Sequence, residues 1–214
     1  MITISHTSVS GWEAALRGMR NPLNSWDKAD TYFKTSSGTP VIGKNDLTLM
    51  HKLCQAGSEH RKFMRYIIVT FDMTAPHFFW HQFDTYKVGT VRNSCSKMHK
   101  LTAKEYTIDD FATDGMSGEA LGVLNVLIDQ LNNWRTRYLQ TPTTNAVARR
   151  DLWDAILRVM PESYLQTATI QLNYEVLRAM YHQRINHKLP EWHQFCAWIQ
   201  SLPYSDLITE VPVI

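Results

Sequence analysis

The chain has 214 residues, of which 44% are hydrophobic and 11% aromatic, and 22 Lys plus Arg face 20 Asp plus Glu. That length suits a single domain spanning 1–214 with ample core material, and the balanced charge offers no broad surface for nucleic acid or an anionic membrane. Arg, His or Asp interrupts every apolar stretch short of a membrane span, and the opening MITISHTSVSGWEAAL has no basic flank before an apolar core. A cytoplasmic protein is expected.

In chain order, WEAALRGM (12–19) reads as a short amphipathic piece, and the Asn-Pro of RNPLNSWDKAD as a turn. SSGTPVIGKND (36–46) reads as a loop from which Asp46 caps a helix to Gln55. MRYIIVTFDMT (64–74), rich in β-branched and aromatic residues, predicts the strongest strand. A helix is expected over 74–87, with Thr74 as its N-cap, Pro76 in its first turn and Gly89 beyond its end. Residues 90–118 have few periodic apolar positions and read mostly as loop.

From 119 onward the pattern is helical. Leu121, Leu124, Ile128, Leu131, Trp134 and Tyr138 form one stripe, TPTTN (141–145) breaks it, and AVARRDLWDAILRVM is the next helix. Spacings of three and four through Leu165, Ala168, Leu172, Val176 and Met180 predict a further helix over 163–186, and Pro190 opens a last one. The class expected is α+β with a helix-rich C-terminal half.

Apart from the cysteines, four clusters carry possible chemistry. Cys54, Cys95 and Cys196 are odd in number without a C-x-x-C spacing, so neither a disulfide framework nor a zinc knuckle is expected. His60, Arg61, Lys62 and Arg65 precede the strong strand, as a solvated loop or as a cationic site for an anion. Lys87, Thr90, Arg92, Asn93, Ser94, Cys95, Ser96 and Lys97 supply hydroxyls, backbone amides and cations, the donor set a phosphate takes, although such residues also fill ordinary loops. Asn173 and Arg184 stand three turns apart on the expected helix, near Arg178, as an interhelical polar network or a ligand site. His182, His187 and His193, spaced by five and six, do not fit a helical zinc pair, and no metal is expected.

Together these clusters resemble the flavin-dependent thymidylate synthases over roughly 57–97 and 155–202. His60 stands where that family has a flavin-contacting His, VTFDMTAP follows its strand and Ala-Pro turn, and Gln82 matches its nucleotide-holding Gln. Met160-Pro161, Asn173 and Arg184 fall in its C-terminal register. The family's Arg-His-Arg, seven residues and Ser becomes Thr85-Tyr86-Lys87, seven residues and Cys95, with Lys97 for the closing Arg. Asn93 replaces an acidic residue and Glu175 a helical Arg.

The resemblance implies an antiparallel sheet with long helices, assembled as a homotetramer. It implies methylation of a uridine nucleotide at carbon 5, dUMP to dTMP, with FAD as cofactor and NADPH and methylene-tetrahydrofolate as co-substrates. Gln82, Cys95, Ser96 and Lys97 would hold the nucleotide phosphate, and Arg184 would read the uracil edge. His60, Lys87 and Asn173 would contact the flavin. Cys95, nucleophilic when ionised, could also add to the pyrimidine, which makes it a catalytic candidate beside Arg184. The altered triplet leaves open another pyrimidine nucleotide, a hydroxymethyl product, or a non-catalytic nucleotide-binding relative.

Overall fold

A computed structural model describes residues 1–34 and 40–211 of the chain. Strand β1 (Thr3–Ser10) leads into helix α1 (Trp12–Arg20). β2 (Tyr32–Phe33) pairs antiparallel with β3 (Pro40–Val41), and α2 (Lys44–Gln55) follows. β4 (Ile68–Pro76) runs directly into α3 (His77–Phe83), then β5 (Val91–Ser94) and α4 (Lys97–Lys100). The helical pair α5 (Gly118–Gln140) and α6 (Ala146–Val159) precedes β6 (Leu165–Asn173). α7 (Tyr174–Arg184), α8 (Pro190–Gln200) and α9 (Asp206–Thr209) complete the α+β chain. Four strands form an antiparallel sheet in the order β1-β4-β6-β5. Among the described residues no helix is long and apolar enough to cross a membrane.

Several expectations change. The 163–186 segment is strand then helix: Ala168, Ile170 and Leu172 are buried in strict alternation, the period of a strand with one covered face. Thr74 and Pro76 therefore belong to β4, not to a helix start, and α3 ends at Phe83 rather than near Lys87. Asn173 lies at the end of β6, so it shares no helix face with Arg184. Its Oδ1 accepts from the Val176 N–H 3.0 Å away and caps α7. Asp46 does not cap α2, which starts at Lys44. Of the loop expected over 36–46, positions 36–39 lie outside the described residues, and the rest holds β3 and the start of α2.

Contacts divide the chain into two compact units. One comprises Met1, 74–83 and 93–168. Its core is the α5–α6 hairpin closing on Leu101, Tyr106 and Phe111 with Leu124, Ile128, Leu131 and Ile156. The hairpin helices are the ones whose apolar stripe the sequence announces, and each has an N-cap: Ser117 accepts from Ala120 and Asn145 from Ala148.

The other unit comprises 2–73, 84–92 and 169–214. Trp12, 1% exposed, meets the rings of Tyr174 and Tyr204 edge-on at 5.4 and 5.5 Å. Gly11 makes that placement possible: its φ is +85°, and a Cβ there would stand 1.9 Å from the Tyr66 carbonyl oxygen. Arg20 and Asp46 are a fully buried ion pair, with Nε and Nη2 of Arg20 donating to Asp46 Oδ1 at 2.7 and 2.6 Å. Asp46 Oδ2 accepts from the Asp30 N–H, the Thr31 N–H and the Thr31 hydroxyl, at 3.0, 3.0 and 2.6 Å.

Burial opposes ionisation of Asp46, but the bonds from Thr31 and Arg20 outweigh it and hold its pKa below the usual carboxylate value. The stability this provides is present above the unfolded carboxyl pKa, near ~3.9, and is lost as pH falls through the lower folded value. Asp46→Ala leaves Arg20 charged and buried without its partner. It should cost about 3–5 kcal/mol in urea unfolding at neutral pH, and the deficit relative to the parent should shrink under strong acid.

Candidate functional site

In the first unit, Cys95, Ser96 and Lys97 line a cavity of about 270 Å³ together with Thr74, Tyr164, Gln166 and Thr167. The backbone holds Cys95 in place. Its N–H donates to Thr167 O at 2.9 Å, and its carbonyl accepts from Gln166 Nε2 at 2.7 Å. Gln166 is itself fixed, since its carbonyl accepts from the Trp80 indole at 3.0 Å. Thr74 and Thr167 exchange a hydroxyl bond of 2.7 Å across the strands. The thiol therefore sits on a braced segment, exposed to solvent.

Lys97 is half-buried, with its Nζ 3.4 Å from Nδ1 of His77. An ammonium has only protons to give, so Nδ1 is the acceptor. His77 is 6% exposed and meets the Tyr164 ring edge-on at 5.5 Å. It thus aims Lys97 from below the surface. Lys100 and Lys104 add positive charge to the lining, against Asp109 and Asp110, and Lys104 pairs with Asp110. One cation more than carboxylates, with hydroxyls and an amide, suits an anion of small-metabolite size. Burial raises the pKa of Tyr164 above the ordinary phenol value, so it stays a neutral wall. Gln82 is on α3 and outside this lining.

In the second unit, Lys87 and Asn173 line a cavity of about 460 Å³ with Arg65, Tyr86, Gly89 and Val176. Gly89 has φ +78°, and a Cβ on it would stand 3.1 Å from Asn173 Nδ2 and 3.2 Å from Val176 Cγ2. The missing side chain keeps the mouth of the cavity open beside the amide of Asn173. His60 is outside the lining. Its side chain is 53% exposed, with Nε2 3.6 Å from a Glu59 carboxylate oxygen.

Arg184 ends α7, where its Nε donates to the Tyr86 hydroxyl at 2.8 Å, and that hydroxyl donates to Gln183 Oε1 at 2.9 Å. Its guanidinium carbon is 4.8 Å from the centroid of the Trp192 ring. Glu175 forms a two-pronged pair with Arg61, both bonds 3.0 Å. Arg92, expected to act beside Cys95, pairs with Asp84 at 2.6 Å. His77, Tyr164 and Gln166 escaped the sequence reading because only the approach of distant segments brings them to Lys97 and Cys95. For Tyr86, only its place inside the altered triplet was a signal.

Neither a family model nor a curated protein matches the chain. Solved structures do. A crystal structure of thymidylate synthase X (ThyX) from Helicobacter pylori with FAD and dUMP shares 15% identity over 98% of each chain, with TM-score 0.68. A second structure of the flavin-dependent enzyme from that bacterium, complexed with FAD and dUMP, shares 15% over 97% of each chain, with TM-score 0.64. The fold is that of the flavin-dependent thymidylate synthases. At this identity the shared property is the backbone path, and the chemistry must be argued from the side chains above.

Cys54 and Cys196 are buried, and burial pushes their thiols up to about 12 and about 11, so neither reacts at neutral pH. A disulfide-exchange reagent should therefore titrate one thiol in the native protein and three after denaturation. Cys95→Ser should abolish the native reaction.

Proposed function

We propose that the chain methylates carbon 5 of a uridine nucleotide, dUMP to dTMP, with FAD, NADPH and methylene-tetrahydrofolate. One observation carries the reading: Cys95, Ser96 and Lys97 line one braced, cation-bearing cavity, in a fold whose solved examples were crystallised with FAD and dUMP. Lys97, aimed by His77, would take the nucleotide phosphate, with the hydroxyl of Ser96 and the thiol of Cys95 beside it. Gln82 would assist from α3. Arg184, with Nε held by Tyr86 and its guanidinium carbon 4.8 Å from the Trp192 ring centroid, would present its remaining donors to the uracil edge as a fork.

The second cavity fits part of a flavin dinucleotide. Arg65 and Lys87 offer charge for a pyrophosphate, Val88, Val176 and Ala179 an apolar wall, and Gly89 an open mouth. Lys87 and Asn173 would hold the group there, with His60 approaching from outside the lining. When bound, the reduced flavin supplies the hydride that completes the methyl group, and the folate supplies its carbon. The protein orients the base and compensates the phosphate charge. We infer a cytoplasmic homotetramer that needs neither nucleic acid nor membrane. The exposed Val123 and Val126 on α5 offer apolar surface for contact between copies.

The test is chromatographic detection of dTMP from dUMP with all three co-reactants. Formation of dTMP is expected. Lys97→Ala should keep its flavin while raising the KM for dUMP at least about tenfold, the worth of one charged hydrogen bond. A flavin-loaded protein that forms no product would overturn the proposal. Running dCMP in parallel distinguishes the variant reading, favoured by Thr85-Tyr86-Lys87 in place of Arg-His-Arg, in which another pyrimidine nucleotide is the substrate.

A further inference from the structure

His51, Asp206 and Glu210 belong to none of the clusters that the sequence or the proposed reaction uses. His51 stands on α2, and its two ring nitrogens each meet a carboxylate: Nδ1 is 2.9 Å from Glu210 Oε2, and Nε2 is 3.0 Å from Asp206 Oδ2. One ligand atom from each of the three lies within 4.8 Å of the others. Gln55, one turn after His51, brings its amide to 3.3 Å from Glu210 Oε2. Two residues four apart on α2 thus face two residues four apart at α9 and its end. Paired i, i+4 side chains on facing segments are a recurrent way to surround a metal ion.

The site is built rather than merely crowded. Glu210 is fixed through its backbone: its N–H donates to Asp206 O at 3.0 Å, and its carbonyl accepts from the buried Arg178. The side chain of His51 is only 27% exposed, so the imidazole is held between helix and carboxylates. A tetrahedral zinc site, with bonds of about 2.0–2.2 Å, places its ligand atoms roughly 3.3 Å apart, within small side-chain rotations of the spacing observed.

We propose that His51, Asp206 and Glu210, with Gln55 turning its amide oxygen inward, form a site for a first-row divalent cation, zinc by preference among the abundant ones. One imidazole and two carboxylates supply a borderline nitrogen and two hard anionic oxygens, a set that favours such cations over magnesium or calcium. The anionic pair also compensates the charge of the ion. The metal takes the place of the proton that otherwise bridges imidazole and carboxylate. Bound there, it fastens the segment after Tyr204 to α2, and its role is to clip the chain together, independent of the nucleotide reaction. The ligands lie 155 and 159 positions from His51, which hides them from any reading of local spacing.

The experiment titrates zinc chloride by calorimetry into tag-free, metal-stripped full-length protein. Cys95→Ser serves as the parent so that the exposed thiol cannot bind the ion. One site with micromolar or tighter affinity is expected, with a zinc-dependent rise in melting temperature. His51→Gln and Glu210→Gln, both near in size to the residues replaced, should each weaken binding at least tenfold and remove the thermal rise. Should either variant lose the parent's circular dichroism spectrum, Asp206→Asn replaces it. Binding seen only at millimolar zinc, or unchanged in either folded variant, overturns the site. Because zinc binding is read without substrate or flavin, its failure is distinct from a failure of the methylation proposal.

Discussion

Strand β6 is the constraint on which both cavities depend. Its first half, in the first unit, presents the Thr167 carbonyl and the Gln166 amide that grip the backbone of Cys95. Its second half, in the other unit, ends at Asn173, whose side chain caps the helix that carries Arg184. A slip of one residue would turn Ala168, Ile170 and Leu172 out of the core and break the cross-strand bonds to Cys95. Burial of Ile170 and Leu172, each worth about 1.5–3 kcal/mol, with the smaller Ala168 beside them, therefore fixes the register that positions the polar groups.

The departures from the family pattern acquire partners once the structure is in view. The Tyr86 hydroxyl accepts from Arg184, so the altered triplet and the arginine at the end of α7 belong to one network. Glu175, standing where the pattern has an arginine, gives Arg61 a two-pronged counterion. Lys97 lacks the fork of guanidinium, but His77 holds it at a fixed place, which recovers by positioning part of what bidentate geometry would supply. Each of the three substituted positions thus has a polar partner in the structure: Tyr86 has Arg184, Glu175 has Arg61 and Lys97 has His77.

How much of this was legible follows from the kind of signal each segment carries. α5, α6 and α8 announce themselves because a long amphipathic helix repeats its apolar face many times. β6 is nine residues long, and Leu165, Ala168 and Leu172 satisfy a spacing of three and four as readily as Ala168, Ile170 and Leu172 satisfy a spacing of two. β1 has almost no apolar alternation, since most of its residues are exposed. The register of Cys95, Ser96 and Lys97 could be matched by counting residues along the motif. His77 and Tyr164 could not, because what joins them to Lys97 is a fold-dependent approach between segments. The Arg20–Asp46 pair was hidden for the same reason, with Asp46 reading locally as a helix cap.

The central claim is that this fold still holds a flavin and a uridine nucleotide together although its signature residues have changed. The most direct measurement is the visible absorbance spectrum of the purified protein, titrated with FAD and then with dUMP. The account predicts a bound-flavin band that shifts when dUMP is added, as the base enters the flavin's surroundings. A protein that takes up no flavin at micromolar concentration, or whose flavin band is indifferent to saturating dUMP, would contradict it.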